Sequence, residues 1–133
     1  MAMEEDLIAR LGADSAVAAL VGARIGWGGR WREDALPVVV LTMVYPGRDY
    51  DHAGPDGLDN PRVQFDCLAQ TAITAAALKR AVTACMETPA TVGGTRFWNG
   101  FLEGESWIDE GEQDGGEPLF QVSLDFTFMH EEA

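Results

Sequence analysis

Hydrophobic and polar residues along this 133-residue chain change period several times, and each change marks an element. The clearest stretch runs from Pro61 to Met86. Val63, Phe65 and Cys67 alternate with Arg62, Gln64 and Asp66, which predicts a half-buried strand whose side chains point to opposite faces in turn. From Thr71 the period lengthens. Ile73, Ala77, Leu78, Ala81, Val82 and Cys85 recur at steps of three and four, predicting a helix with that stripe buried and Lys79, Arg80 and Thr83 in water. A sheet face and a helix stripe joined by a short polar turn can bury each other, so the remaining elements are expected to extend this pair of layers.

Upstream, Leu7, Ile8 and Leu11 form a helical stripe behind Glu4, Glu5 and Asp6, which suit a helix N-terminus, and Gly12 offers a left-handed stop. Asp14 or Ser15 caps a second short helix with Val17, Leu20 and Val21 inward and Gly22 at its end. A short strand is expected at Arg24 to Trp27, followed by the loop GGRWRED. Pro37 then opens an apolar run from Val38 to Tyr45, which reads as a strand covered on both faces or placed at a subunit contact. Pro46 to Asn60 reads as a long turn-forming loop, the kind that is functional or mobile in compact domains.

After the helix, the last third reads as a β-meander. Thr91 to Trp98 and Phe101 to Ile108 are strand candidates broken at Asn99-Gly100, and GEQDGGE makes the next connection. In the final strand, Leu119 to Met129, Phe120, Val122, Leu124, Phe126 and Phe128 share one face, which places it centrally under the Thr71 helix. The expectation is one domain over residues 1–133, of α+β class: a mainly antiparallel sheet with a long helix and two short N-terminal helices packed on it.

Composition changes this picture little, because 47% hydrophobic and 23% charged residues are ordinary for a globular chain. No apolar run is long enough for a membrane span, and no secretory leader pattern appears. Cys67 and Cys85 fall on buried faces and read as small core residues in a reducing compartment. Charge is more informative. The formal net charge is −13, all nine Lys and Arg lie at or before Arg96, and ten acidic residues follow with no cation among them. Such a surface repels nucleic acid phosphates.

Candidate chemistry is sparse. Asp49, Asp51, His52 and Asp56 crowd one loop and suggest a metal or acid–base site, but their spacing fits neither an EF-hand nor a zinc motif, and turn-forming aspartates explain them equally. His130, beside Glu131 and Glu132, reads as exposed and uninvolved, and Gly93-Gly94 as a turn between strands. No nucleophile elbow, P-loop or dinucleotide fingerprint is present. Trp27, Arg30, Trp31 and Arg32 mix aromatic and cationic groups as protein interfaces do, and the acidic excess disfavours a nucleic acid ligand.

The order of these motifs resembles a known family. The helix pair ending at ALVGARI, the strand LPVVVLTMV, the loop RDYDHAGPDGLDN running into RVQFDCLA, the alanine-rich helix, TVGGTRF and the closing FQVSLDFTFMH together resemble the small tail-completion, or tail-terminator, proteins of long-tailed bacteriophages and gene transfer agents. The resemblance covers nearly the whole chain, with HAGPDGL, RVQFDC and VSLDF its most specific parts. It implies a structural, non-enzymatic protein without cofactor. Such proteins form a homo-oligomeric ring, typically a hexamer, that caps the tail tube, ends its polymerisation and meets the head connector. DNA then only passes through the bore, no membrane is involved, and the protein belongs to the particle tail after assembly in the bacterial cytoplasm. Subunit or partner contacts are expected at Trp27, Arg30, Trp31, Arg48, Tyr50, His52 and Leu58. An acidic lumen or docking surface is expected at Glu103, Glu105, Asp109, Glu110, Glu112, Asp114 and Glu117. The competing expectation is a small non-enzymatic adaptor that binds another protein, with a metal enzyme based on Asp49, Asp51 and His52 a distant third.

Overall fold

The computed structural model describes residues 3–28, 36–51, 54–112 and 118–132, with backbone only at 48–51, 54–58, 110 and 112. Its first helix, α1 (Met3–Ala13), sets Glu4, Glu5 and Asp6 at its positive end and buries Leu7 and Leu11 completely. The same stripe buries Asp6 and Arg10. Gly12 does not end this helix, which continues to Ala13. The break comes from the next residue: the Asp14 carboxylate accepts the N–H groups of Ala16 at 3.0 Å and Val17 at 3.1 Å, starting α2 (Ser15–Val21). Gly22, at φ 58°, ends α2 as expected.

β1 (Ile25–Trp27) pairs in parallel with β2 (Val38–Tyr45), the one parallel pairing among the described strands. β2 then pairs antiparallel with β5 (Arg62–Ala69), and β5 with β9 (Pro118–Thr127) over an unbroken register from Arg62–Thr127 to Ala69–Phe120. β8 (Phe101–Glu112) completes the sheet, whose order is β1-β2-β5-β9-β8. The expected central place of the last long strand is therefore met. One face of this sheet carries Val39, Leu41, Val63, Phe65, Cys67, Val122, Leu124 and Phe126 into the core. Phe65 and Phe126, on neighbouring strands, meet edge to face at 5.6 Å.

Helix α3 (Ala72–Glu87) covers that face, its N-terminus capped by the Thr71 hydroxyl at 3.1 Å from the Thr74 N–H. It buries Ala75, Ala76, Leu78, Ala81, Val82, Cys85 and Met86. Ile73 is the exception to the expected stripe, 83% exposed, because in the first turn it points away from the sheet. The described chain is thus α+β, with three helices and mainly antiparallel sheets.

Two expectations fail in the connections. Pro46 to Asn60 is not a plain loop: β3 (Arg48–Asp51) and β4 (Gly54–Asp59) form a hairpin. Its neck is closed where the Asn60 N–H donates to the Gly47 carbonyl at 2.8 Å. Gly47, at φ 66°, is required there, because a Cβ would sit 2.1 Å from the Asn60 carbonyl oxygen. The last third is not a simple meander either. β6 (Ala90–Val92) and β7 (Thr95–Phe97) turn at Gly93-Gly94 and join a second sheet, ordered β3-β4-β10-β7-β6, through β10 (His130–Glu132). His130 is accordingly not an exposed bystander. It is half-buried at the junction, its ring 6.3 Å from Phe97 and 6.1 Å from Phe128 and its Nε2 4.0 Å from Asp59.

Candidate interaction surface

The helix-covered side of the main sheet is closed, while its other face is buried at one end, where Val38, Val40, Leu68 and Leu119 cluster with Leu36, and polar beyond it. Alternation along β5 and β9 puts Arg62, Gln64, Asp66, Gln121, Ser123, Asp125 and Thr127 on the uncovered face. These side chains bond to one another. Gln64 donates to Asp66 at 2.8 Å, Ser123 to Asp66 at 2.7 Å and Gln121 to Ser123 at 2.9 Å. Arg62, the cation of this group, is held by Asp125 at 3.2 Å. The Thr127 hydroxyl reaches Glu103 at 3.3 Å. Beyond the Val38–Leu119 cluster, what remains is a polar patch with excess carboxylate and its cation neutralised.

β8 is the edge of this sheet and pairs only with β9. Its apolar residues come in adjacent pairs, so both of its faces carry them: Phe101 is 57% exposed, Leu102 38%, Trp107 54% and Ile108 41%. Trp107 is nonetheless fixed. Its indole Nε1 donates to Glu105 at 2.6 Å, Glu105 bridges to Lys79 of α3 at 3.3 Å, and the Lys79 ammonium lies 6.0 Å from the indole ring. The Trp107 N–H, and after it Lys79, hold the Glu105 carboxyl below its ordinary range. A second exposed apolar site lies at the far end of β2, where Val44 and Tyr45 lead into the hairpin.

The acidic positions expected to form one surface divide between two. Glu103 borders the uncovered face, whereas Glu105 turns to the helix side. Asp109 accepts the Gly111 N–H at 2.9 Å and shapes the bend where β8 shifts register. Glu110 and Glu112 are placed by backbone alone, and Asp114 and Glu117 lie outside the described residues. Among the expected contact residues, Trp27 is half-buried and donates to the Glu4 carbonyl at 2.9 Å, tying β1 to α1. Arg48, Tyr50 and Leu58 lie on the hairpin, while Arg30, Trp31, Arg32 and His52 are outside the described residues. So is the centre of the candidate metal cluster, since Asp49, Asp51 and Asp56 have no described side chains.

Two open clefts flank the second sheet. One, of about 420 Å³, is lined by Arg10, Ala13, Asp14, Ala84, Cys85, Thr88, Ala90 and Val92. Its nucleophile is poor, because burial pushes the Cys85 thiol up, and its arginine is already engaged with Cys85, Met86 and Thr88 carbonyls. The other, of about 310 Å³, runs from Pro89 to Trp98. Among the described residues no group of three His, Cys, Asp or Glu converges as a metal site would require, and no helix is long and apolar enough to cross a membrane.

Sequence reasoning missed the β8 edge and the burial of Asp6 and Arg10. Signals for both existed. Phe101-Leu102 and Trp107-Ile108 break the alternation that a half-buried strand needs. Asp6 and Arg10 share the helical stripe of Leu7 and Leu11, so they had to be buried with them.

Fold and surface define an α+β domain whose distinguishing features are a partly polar second sheet face, an acidic aromatic edge and a hairpin joined to its sheet by one residue pair. The fold is similar to that of a chain in the solved structure "Virion of native gene transfer agent (GTA) particle", with a TM-score of 0.73 and 18% identity over 98% of this chain and 95% of that one. No curated protein matches the sequence. The family model "Tail completion protein gp17" matches residues 5–131, and the chain belongs to that family. Its role is accordingly structural, in a phage-type tail.

Proposed function

We propose that this protein is the ring-forming tail terminator of a phage or gene transfer agent. It caps the finished tail tube, ends its polymerisation and presents a docking surface to the head connector. The observation that carries this reading beyond family membership is the β3–β4 hairpin. Two-stranded hairpins are marginal in water on their own, and this one is registered to the rest of its sheet by a single residue pair, His130 with Asp59. At its root Val44 is 52% and Tyr45 61% exposed. An arm of this kind gains support by lying against a neighbouring copy, and a head-to-tail contact of arm on body closes into a ring when the rotation per subunit permits. Arg48, Tyr50, His52 and Leu58, together with Trp27, Arg30 and Trp31, are the contact residues of this reading, and a hexamer is the expected closure.

The acidic positions serve two ends. Glu103, with Asp66 and Asp125 on the uncovered face, lines the bore. A lining without free cations lets DNA phosphates slide past instead of retaining them through counterion release. Glu105, Asp109, Glu110, Glu112, Asp114 and Glu117 belong to the edge and its following turn, where the tail tube or the connector docks. The protein thus works in the particle tail, at the junction with the head, and needs no cofactor.

Negative-stain images and solution mass of the purified protein test the reading, alone and with tail tubes. The expected result is a closed ring with a central hole, in solution or on the tube end, and tubes that stop growing when it is added. Val44→Asp with Tyr45→Asp should leave a folded monomer. Tubes that elongate unchanged in a molar excess of the protein would remove the terminator assignment.

A further inference from the structure

We propose that the β8 edge is a preformed docking site for a second protein that offers a basic β-strand edge, with Trp107 as the anchor; this rests on the tail-completion reading. Three observations carry it. The first is an open strand. β8 spans twelve residues, has one neighbour among the described strands, and keeps an unbroken register with β9 from Gly104–Asp125 to Asp109–Phe120 between two shifts. Its other side presents a row of unpaired backbone groups, which proteins normally cover or blunt unless they are used.

The second is a fixed aromatic. An exposed tryptophan usually retains side-chain freedom that binding must remove, but Trp107 is clamped by Glu105 and Lys79 before any partner arrives. Pre-organised aromatic side chains flanked by apolar neighbours are the usual hot spots of interfaces. Leu102 lies along the same strand, and Phe101 and Ile108 lie on its opposite face.

The third is charge, which also selects the occupant. Glu105 and Asp109 line the strand, and the nearby cation, Lys79, is already bound to Glu105. Two β8 edges run antiparallel would set carboxylate against carboxylate, which is destabilising across strands. Nor, among the described side chains, does another surface supply the complement. Among the described side chains Arg62 and Arg96 are paired with carboxylates, Arg24 donates to the Pro37 and Leu20 carbonyls, Arg10 is buried, and Arg80 alone has no partner. With a net charge of −13 per copy, the partner of this edge is a basic protein and not a second copy.

The probes are the tail tube protein and the head-connector protein of the same particle, each purified and titrated against this protein by calorimetry, with its own assembly followed by sedimentation. One of the two should bind wild type, and binding should weaken as salt rises. Trp107→Ala should weaken that binding about 30-fold or more, and Asp109→Lys should weaken it too, with the mass of this protein's own assembly unchanged for both. Unaltered binding by both variants, or a lower assembly mass for Trp107→Ala, would overturn the docking proposal alone. If neither probe binds wild type, the terminator reading and this proposal fall together.

Discussion

Arg10 locks α1 onto the end of α3, and replacing it separates the contributions that hold it there. Its guanidinium, 4% exposed, donates to the carbonyls of Cys85 at 2.9 Å, Met86 at 3.3 Å and Thr88, and lies 5.1 Å from the Phe97 ring centroid. Three carbonyls would suggest a large loss on removal, but two have other donors. Cys85 O already accepts the Thr88 N–H at 3.3 Å, and Met86 O accepts the Gly100 N–H at 2.6 Å. Removing the arginine therefore orphans only the Thr88 carbonyl, for about 1–3 kcal/mol, and forfeits a cation–π contact of about 1 kcal/mol. Against this, Nε and Nη1 are buried without partners, and their desolvation is relieved when they go. Arg10→Met, which keeps most of the volume, should cost about 2 kcal/mol by this reckoning. Arg10→Ala also loses the buried methylene stem, adding about 2 kcal/mol more. Urea unfolding followed by circular dichroism reads the difference: with a slope of about 2 kcal/mol per molar, the midpoint should fall by about 1 M for Met and about 2 M for Ala. A Met variant as stable as wild type would refute the capping argument. Equal loss in Met and Ala would show that the stem contributes nothing.

Three further outcomes follow from single positions. Gly93→Ala should destabilise by about 2–3 kcal/mol in the same assay, because φ is 57° and the new Cβ would sit 2.3 Å from Asp6 Oδ1, whose carboxylate is fully buried and holds the Thr95 hydroxyl at 2.6 Å. Ile73→Ser should change stability by no more than about 0.5 kcal/mol, since the side chain is in water; a loss above about 1 kcal/mol would contradict its exposure. Burial holds the His130 imidazole below its ordinary range, with Asp59 and Glu4 opposing. A group whose folded pKa is depressed contributes stability above its unfolded value and loses it as pH falls through the folded one. Wild type should therefore lose more stability than His130→Gln between pH 7 and pH 5, and parallel curves would count against that placement.

Legibility followed the size and regularity of the buried face. β5, β9 and α3 could be read closely because each presents a continuous apolar face, and a one-residue slip of β5 against β9 would expose Phe65 and Phe126. Of the second sheet only the Gly93-Gly94 turn between β6 and β7 was legible; β10 is three residues long, and β3 and β4 are four and six residues rich in Gly, Pro and Asp. What makes RDYD and GPDGLD strands is pairing across a neck closed by Gly47 and Asn60, a tertiary fact that composition alone does not carry. Ile73 misled for the opposite reason. It is spaced four residues from Ala77 at the margin of the expected stripe, but the buried face centres on Leu78, Val82 and Cys85, on the opposite side of the helix.

The same contrast separates the working surfaces from the core. Where alternation is strict, as from Gln121 to Thr127 in β9, the apolar side is buried and the polar side bonds to itself. Where it fails, at Phe101-Leu102, Trp107-Ile108 and Val44-Tyr45, apolar side chains stand in water at a sheet edge or at the root of an arm. Those failures cost solubility in an isolated domain, and the charge distribution offsets that cost selectively. Carboxylates flank the β8 apolar pairs, so two copies repel at that edge while a basic strand is admitted. The Val44–Tyr45 site is different: Arg62 stands opposite Tyr45 in register and Arg48 follows three residues on, so carboxylate does not dominate there. A protein that must join its own copies at one place and a different protein at another needs this asymmetry, and it is written in where the nine cations stop.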